Sequence, residues 1–65
     1  MVLKYDEETE RYNDFHCGES FKIKVNGKWK VVRIEINAKD NWYLIDEDGF
    51  TCNCKRLEGC EISEL

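Results

Sequence analysis

Residues 20–36, SFKIKVNGKWKVVRIEI, leave this chain few folds to choose from. Phe21, Ile23 and Val25 alternate with Lys22 and Lys24, the two-residue period of a half-buried strand. Asn26-Gly27 is the strongest short turn signal in the chain, because both residues tolerate the positive φ that a tight reversal needs. A second strand then runs from Lys28 to Ile36. Its apolar residues change parity along the way, with Trp29 and Val31 at odd positions and Val32, Ile34 and Ile36 at even ones. A switch of face at Val31-Val32 predicts a β-bulge or sharp bend, the device by which a strand passes from one sheet to the next.

The turn has two readings. A two-residue loop pairs Val25 with Lys28 and mixes apolar residues with lysines on one face. A three-residue loop, Val25-Asn26-Gly27 with Gly27 left-handed, pairs Ile23 with Trp29 and Phe21 with Val31. The second keeps Trp29 inside and is the register expected here. It sets Lys22 opposite Lys30 and Lys24 opposite Lys28.

Strand and turn signals fill the remaining chain. VLKY (2–5), the polar turn DEETE (6–10) and RYNDF (11–15) read as a hairpin. NAKDN (37–41) is a turn, WYLI (42–45) a strand, and DEDG (46–49) another turn. KRLEG (55–59) suits one helical turn ended by Gly59, and CEI (60–62) a short closing strand. The pattern predicts an all-β fold spanning residues 1–65 as one domain. Its architecture is a small SH3-like, partly open barrel of five or six short strands, with one short helical turn near the C-terminus.

Size narrows the range of functions. A chain of 65 residues has barely enough apolar surface for one core. Ordering it costs about 100 kcal/mol, at roughly 1.5 kcal/mol per residue. A deep, water-excluding active site would remove core the fold needs, so no enzyme activity is expected. No stretch approaches the roughly 20 apolar residues of a membrane span, so no membrane partner is expected. MVLKYDEETE lacks the basic-then-apolar pattern of an export signal, which points to the cytoplasm.

YDEETERY, HCGESF, NGKWKVVRIE and NWYLIDEDG, in that order, resemble a family of short uncharacterised domains found in low-GC Gram-positive bacteria, their phages and conjugative elements. The similarity runs from about Leu3 to Ile62. It implies a bacterial cytoplasmic protein in a mobile-element context and supplies no activity, the family being a domain of unknown function. His16, Cys17 and Gly18 fit the family pattern, whereas Cys52, Cys54 and Cys60 do not. A site needing all four cysteines would be peculiar to this member.

His16, Cys17, Cys52, Cys54 and Cys60 are the residues zinc could use. Their spacing argues against a metal centre. Structural zinc usually takes C-x₂₋₄-C knuckles, whereas here one C-x-C accompanies an adjacent His-Cys pair. A Cys-His nucleophilic pair lacks a third orienting group and an oxyanion hole. The local reading is a corner: Gly18 turns the chain, Cys17 packs as a small apolar residue, and His16 caps or hydrogen-bonds nearby. No cofactor and no catalytic residue is expected. DEDG lacks the further ligands of a calcium loop.

Charge is the more informative property. The net is −4, but residues 21–33 carry five cations (Lys22, Lys24, Lys28, Lys30 and Arg33) and no anion. In the expected register four lysines stack on one outer face, where like charges face each other and an acidic partner or phosphate backbone would relieve them. The same lysines also suit protection of an exposed edge. Glu7, Glu8 and Glu10, with Asp46, Glu47 and Asp48, form two acidic turns that could enter a basic groove. Three functions follow. The first is a non-catalytic phage or mobile-element protein that binds a host macromolecule, in its narrowest form an anti-CRISPR-type inhibitor of a nucleic-acid-directed defence enzyme. The second is a nucleic-acid-binding module using the 22–33 hairpin. The third is a zinc-stabilised module.

Overall fold

The computed structural model describes all of Met1–Leu65. Seven short strands and one helical turn follow in order: β1 (Tyr5–Asp6), β2 (Arg11–Tyr12), β3 (Ser20–Val25), β4 (Lys28–Ile36), β5 (Trp42–Asp46), β6 (Thr51–Asn53), α1 (Cys54–Leu57) and β7 (Ile62–Ser63). β1 and β2 form a two-stranded hairpin. The other five make one antiparallel sheet in the order β6-β5-β4-β3-β7. The chain is therefore mostly β, as its alternation predicts. β6 and β7 remain at opposite edges of the sheet and do not pair, so no barrel closes.

β3 to β6 run as a meander, each strand beside its predecessor. The helical turn then carries the chain back to set β7 against β3. Asn53 caps that turn, its side-chain oxygen accepting from the Lys55 amide at 2.9 Å. Gly59, at φ 89°, ends it where a side chain would be strained. The amino-terminal residues protect the β7 edge: Leu3 N–H donates to the Cys60 carbonyl and Ile62 N–H to the Met1 carbonyl, both at 2.9 Å.

One face of the sheet is covered. Phe21 and Ile23 from β3, Val32 and Ile34 from β4, Leu44 from β5 and Ile62 from β7 are buried beneath Leu3, Tyr12 and Cys54. Phe15 stacks on Phe21 with ring centroids 4.3 Å apart. The covering layer comes from the amino-terminal segment, the β1–β2 hairpin and α1. The opposite sheet face has no such layer.

The β3–β4 register differs from the expected one. Val25 pairs with Lys28, Lys24 with Trp29, Ile23 with Lys30 and Phe21 with Val32. Asn26 (φ 52°) and Gly27 (φ 77°) form a two-residue loop with both φ positive, the conformation that matches strand twist. Mixing apolar residues and lysines on one face costs little, because Lys28 lies near the hairpin tip and Lys30, beside buried Ile23 at the rim of the core, is itself exposed. Their stems can lie along apolar surface while the ammonium groups stay in water.

The expected bulge is absent for the same reason. β4 pairs without interruption with β3 and, from Val32↔Asp46 to Ile36↔Trp42, with β5. Its even residues share one side along the whole strand, reaching the core at Val32 and Ile34, and its odd residues face away. Trp29 therefore lies on the uncovered side, 47% exposed, and not inside.

Candidate binding surface

The uncovered face is built from alternate residues of three strands. Lys22 and Lys24 come from β3, Trp29, Val31, Arg33 and Glu35 from β4, and Tyr43 and Ile45 from β5. Lys24 Nζ lies 5.9 Å from the Trp29 ring centroid, within reach of a cation–π attraction. Arg33 Nε contacts Glu35 Oε2 at 2.6 Å and is thereby partly neutralised. Lys22, Lys24, Lys28 and Lys30 have no ion-pair partner.

These cations are not stacked on one face. Lys22 and Lys24 share the uncovered side with Trp29, whereas Lys28 and Lys30 project from the other side of the ribbon. Each lysine has an apolar cross-strand partner: Val31, Trp29, Val25 and Ile23 respectively. No lysine faces a lysine, so the expected like-charge repulsion across the hairpin does not arise. The basic residues instead divide between the two faces of the β3–β4 hairpin.

The two acidic sets lie apart. Glu7, Glu8 and Glu10 occupy the β1–β2 turn, which Asp6 closes by accepting the Glu8 amide at 2.9 Å. Trp42 Nε1–H donates to the Glu10 carbonyl at 3.1 Å, anchoring that turn to the Ile36 end of the sheet, away from the Asn26-Gly27 tip. Asp46 is committed locally, its Oδ1 accepting from the amides of Asp48 at 2.9 Å and Phe50 at 3.0 Å. Glu47 and Asp48 flank Trp29 and Val31 across a shallow cleft of about 210 Å³.

His16 and Cys17 form the expected corner. Gly18 has φ 93°, and its amide donates to the Ile34 carbonyl at 2.8 Å. The backbone of His16 is tied locally, its amide donating to Glu19 Oε2 at 2.6 Å and its carbonyl accepting the Glu19 amide at 3.1 Å. Cys17 does not pack inward. It is exposed, and its thiol donates to Glu35 Oε1 at 2.9 Å. That bond, helped by Arg33, holds the Glu35 carboxyl below its ordinary range.

All four cysteines are free thiols. Cys54 is fully buried, and burial, with Cys52 and Glu58 nearby, pushes its thiol up to about 12. Cys60 packs against the core and Cys52 is half-buried. No three His, Cys, Asp or Glu side chains gather as a metal ion would need, and the five zinc candidates are not brought together.

A second concavity was not visible in the sequence. Tyr5, Tyr12 and Trp42 line a cleft of about 290 Å³ with Asp40, Lys55 and Glu58. Tyr12 donates its hydroxyl to Glu58 Oε1 at 2.7 Å, and Tyr5 packs edge-on against Tyr12 with centroids 5.2 Å apart. Burial and the Glu58 carboxylate together keep the Tyr12 phenol un-ionised well above its usual range. The only local signal was the pairing of Tyr5 with Tyr12 across the DEETE turn. Nothing in the spacing brings Trp42 and Glu58 to them.

No curated protein and no solved structure matches the chain. Residues 1–63 match a domain of unknown function, DUF5348, and with the resemblance carried by its strand and turn motifs the chain belongs to that family.

Proposed function

We propose that this chain is a non-catalytic binding module that holds single-stranded nucleic acid on its uncovered sheet face and along the β3–β4 ribbon. The carrying observation is Trp29. It stands half-exposed beside Lys24 on a face that also presents Lys22, Arg33 and Tyr43. An aromatic platform flanked by unpaired ammonium groups lets bases stack while phosphates meet cations, with little demand on sequence. The net charge of −4 is unevenly spread: residues 21–33 contain no anion, while Glu35 on the same face is paired with Arg33 and Glu47 and Asp48 border Trp29 on one side only. The strand order, a four-stranded meander with a fifth strand returned across a helical turn, supports reading the fold as an SH3-like barrel left open at one seam.

Fluorescence anisotropy with labelled 12-nucleotide DNA and RNA tests the proposal. Trp29→Ala should weaken binding by about 5- to 100-fold, the loss of one stacked base. Lys24→Glu with Lys28→Glu should abolish it, and the parent affinity should fall linearly with salt on logarithmic axes. Absence of binding, or binding indifferent to Trp29, would remove the reading.

A second reading has its own observation. Glu7, Glu8 and Glu10 are exposed at the end of the sheet opposite the ribbon tip and have no ion-pair partner. That acidic turn suits a basic groove of a host nucleic-acid-handling enzyme, the anti-CRISPR-type role of a cytoplasmic mobile-element protein. A pull-down from host cells that survives the Lys24→Glu, Lys28→Glu pair but is lost on neutralising Glu7, Glu8 and Glu10 would select this role.

A further inference from the structure

The cleft under the β1–β2 hairpin is used by neither reading, and its chemistry points to a different ligand. Its aromatic walls come from Tyr5 in β1, Tyr12 in β2 and Trp42 in β5. Each is held in place. The Trp42 N–H is committed to the Glu10 carbonyl, the Tyr12 hydroxyl to Glu58, and the Tyr5 ring rests on Tyr12. What the cleft still offers a ligand is aromatic surface and carboxylate oxygen, with the Asn41 and Asn53 amides and the Lys55 ammonium beside them. Asp40 has no ion-pair partner, and Glu58 spends only Oε1 on Tyr12.

Charge sorts the ligand classes. Asp40 and Glu58 line the cleft, and Asp6, Glu7, Glu8 and Glu10 lie on the adjoining hairpin turn. Lys55 is the one basic residue in the lining, and it pairs with neither lining carboxylate within 4.0 Å; Arg11 on the hairpin is engaged by Asp14. A phosphate or carboxylate ligand would meet this acidic rim. An apolar side chain would strip water from two carboxylates and return no hydrogen bond. A flat cation satisfies both components, stacking on an indole or phenol ring while its N–H groups reach a carboxylate.

We propose that this cleft receives an arginine side chain from a protein partner. Guanidinium is favoured over ammonium because it is planar, weakly hydrated and able to donate in two directions at once. The cavity of about 290 Å³ is a side-chain site, too small for a folded surface, so the arginine belongs to a peptide segment or loop.

The test uses the full chain carrying Trp29→Phe, which leaves Trp42 as the only tryptophan. Its fluorescence and its indole N–H resonance are followed while capped Gly-Arg-Gly, Gly-Lys-Gly and Gly-Glu-Gly peptides are added at low salt. The arginine peptide should give a saturable change in the millimolar range, the lysine peptide at least about 5-fold weaker binding, and the glutamate peptide none. Asp40→Asn with Glu58→Gln should weaken the arginine response about 10-fold. Both changes keep the fold's requirements, since Asn tolerates the positive φ of Asp40 (61°) and Gln retains an acceptor for Tyr12. Lys55→Gln should strengthen it. An equal response to lysine, a response unchanged in the Asp40, Glu58 variant, or a Trp42 signal moved by a short oligonucleotide and not by arginine would each overturn the proposal.

Discussion

β3, β4 and β5 present two faces made from the same strands, and the two share almost no chemistry. On the covered side Phe21, Ile23, Val32, Ile34 and Leu44 are at most 6% exposed. On the other side lie Lys22, Lys24, Trp29, Val31, Arg33, Tyr43 and Ile45, with Trp29 nearly half in water. One side specifies the fold, and the other is free to carry function. The difference shows that an aromatic residue in a very small domain need not belong to its core.

The largest expected effect follows directly from that division. Ile34→Ala, at a fully buried position in the central strand, should cost about 2–5 kcal/mol in urea unfolding. Trp29→Ala should cost less than Ile34→Ala, since about half of Trp29 stays in water on folding and its removal leaves no closed cavity. Equal losses at the two positions would mean that the uncovered face is part of the core after all.

Alkaline pH probes the covered side. Cys54, pushed up to about 12 from an ordinary 9.0, and Tyr12, raised above an ordinary 10.0, both stay protonated in the folded chain after the unfolded chain has lost those protons. Their contribution is fully present below pH 9 and is lost as pH climbs towards the folded values. Urea midpoints should therefore hold steady to about pH 9 and then fall, and Cys54 should react with a thiol reagent only after unfolding. Exposed Cys17 should react first. A flat stability profile to pH 10.5 would argue that Cys54 is open to solvent.

The turn that joins the two faces gives a smaller effect. Gly27→Ala places a side chain at φ 77° and should cost about 1–2 kcal/mol without changing the register. Cross-strand proton contacts between the backbones of Lys24 and Trp29 would confirm that the register persists. Contacts between Lys24 and Lys28 would restore the three-residue loop.

The smallest effect is on the uncovered face. Cys17→Ala removes the thiol bond to Glu35 and should let the Glu35 carboxyl rise towards its ordinary value, read by carboxyl carbon titration in NMR. A depressed carboxyl stabilises the fold above its unfolded value of 4.5 and loses that contribution as pH falls through the folded value. The variant should thus be slightly more tolerant of acid relative to its own neutral-pH stability.

Much of the fold was legible because its signals are local. Strand alternation in SFKIKV, the Asn26-Gly27 reversal, the DEDG turn and the Gly59 terminator all act through backbone preferences within a few residues. Apolar character at positions 29 and 31 predicts a bulge and an inward Trp29, yet apolar character does not by itself require burial. The turn geometry outweighed that pattern, since the two-residue Asn26-Gly27 loop fixes a register that sets Trp29 opposite Lys24 on the uncovered side. The candidate surface was half legible: Lys22, Lys24 and Arg33 stand out in the sequence, but the expected register puts Trp29, the aromatic beside them, inside. The Tyr5, Tyr12, Trp42 cleft was not legible at all, since it joins segments about 30 to 50 residues apart with no shared motif.

Sequence alone determined where this chain extends and where it reverses, because those choices are made by φ preferences and side-chain period over a handful of residues. It could not determine which side of each strand meets the core. Alternation defines two sets of residues but does not say which set is covered, and only the packing of Leu3, Tyr12 and Cys54 onto one of them decided that. Long-range burial, absent from any local window, placed Trp29 in water and so decided which face stays open to solvent.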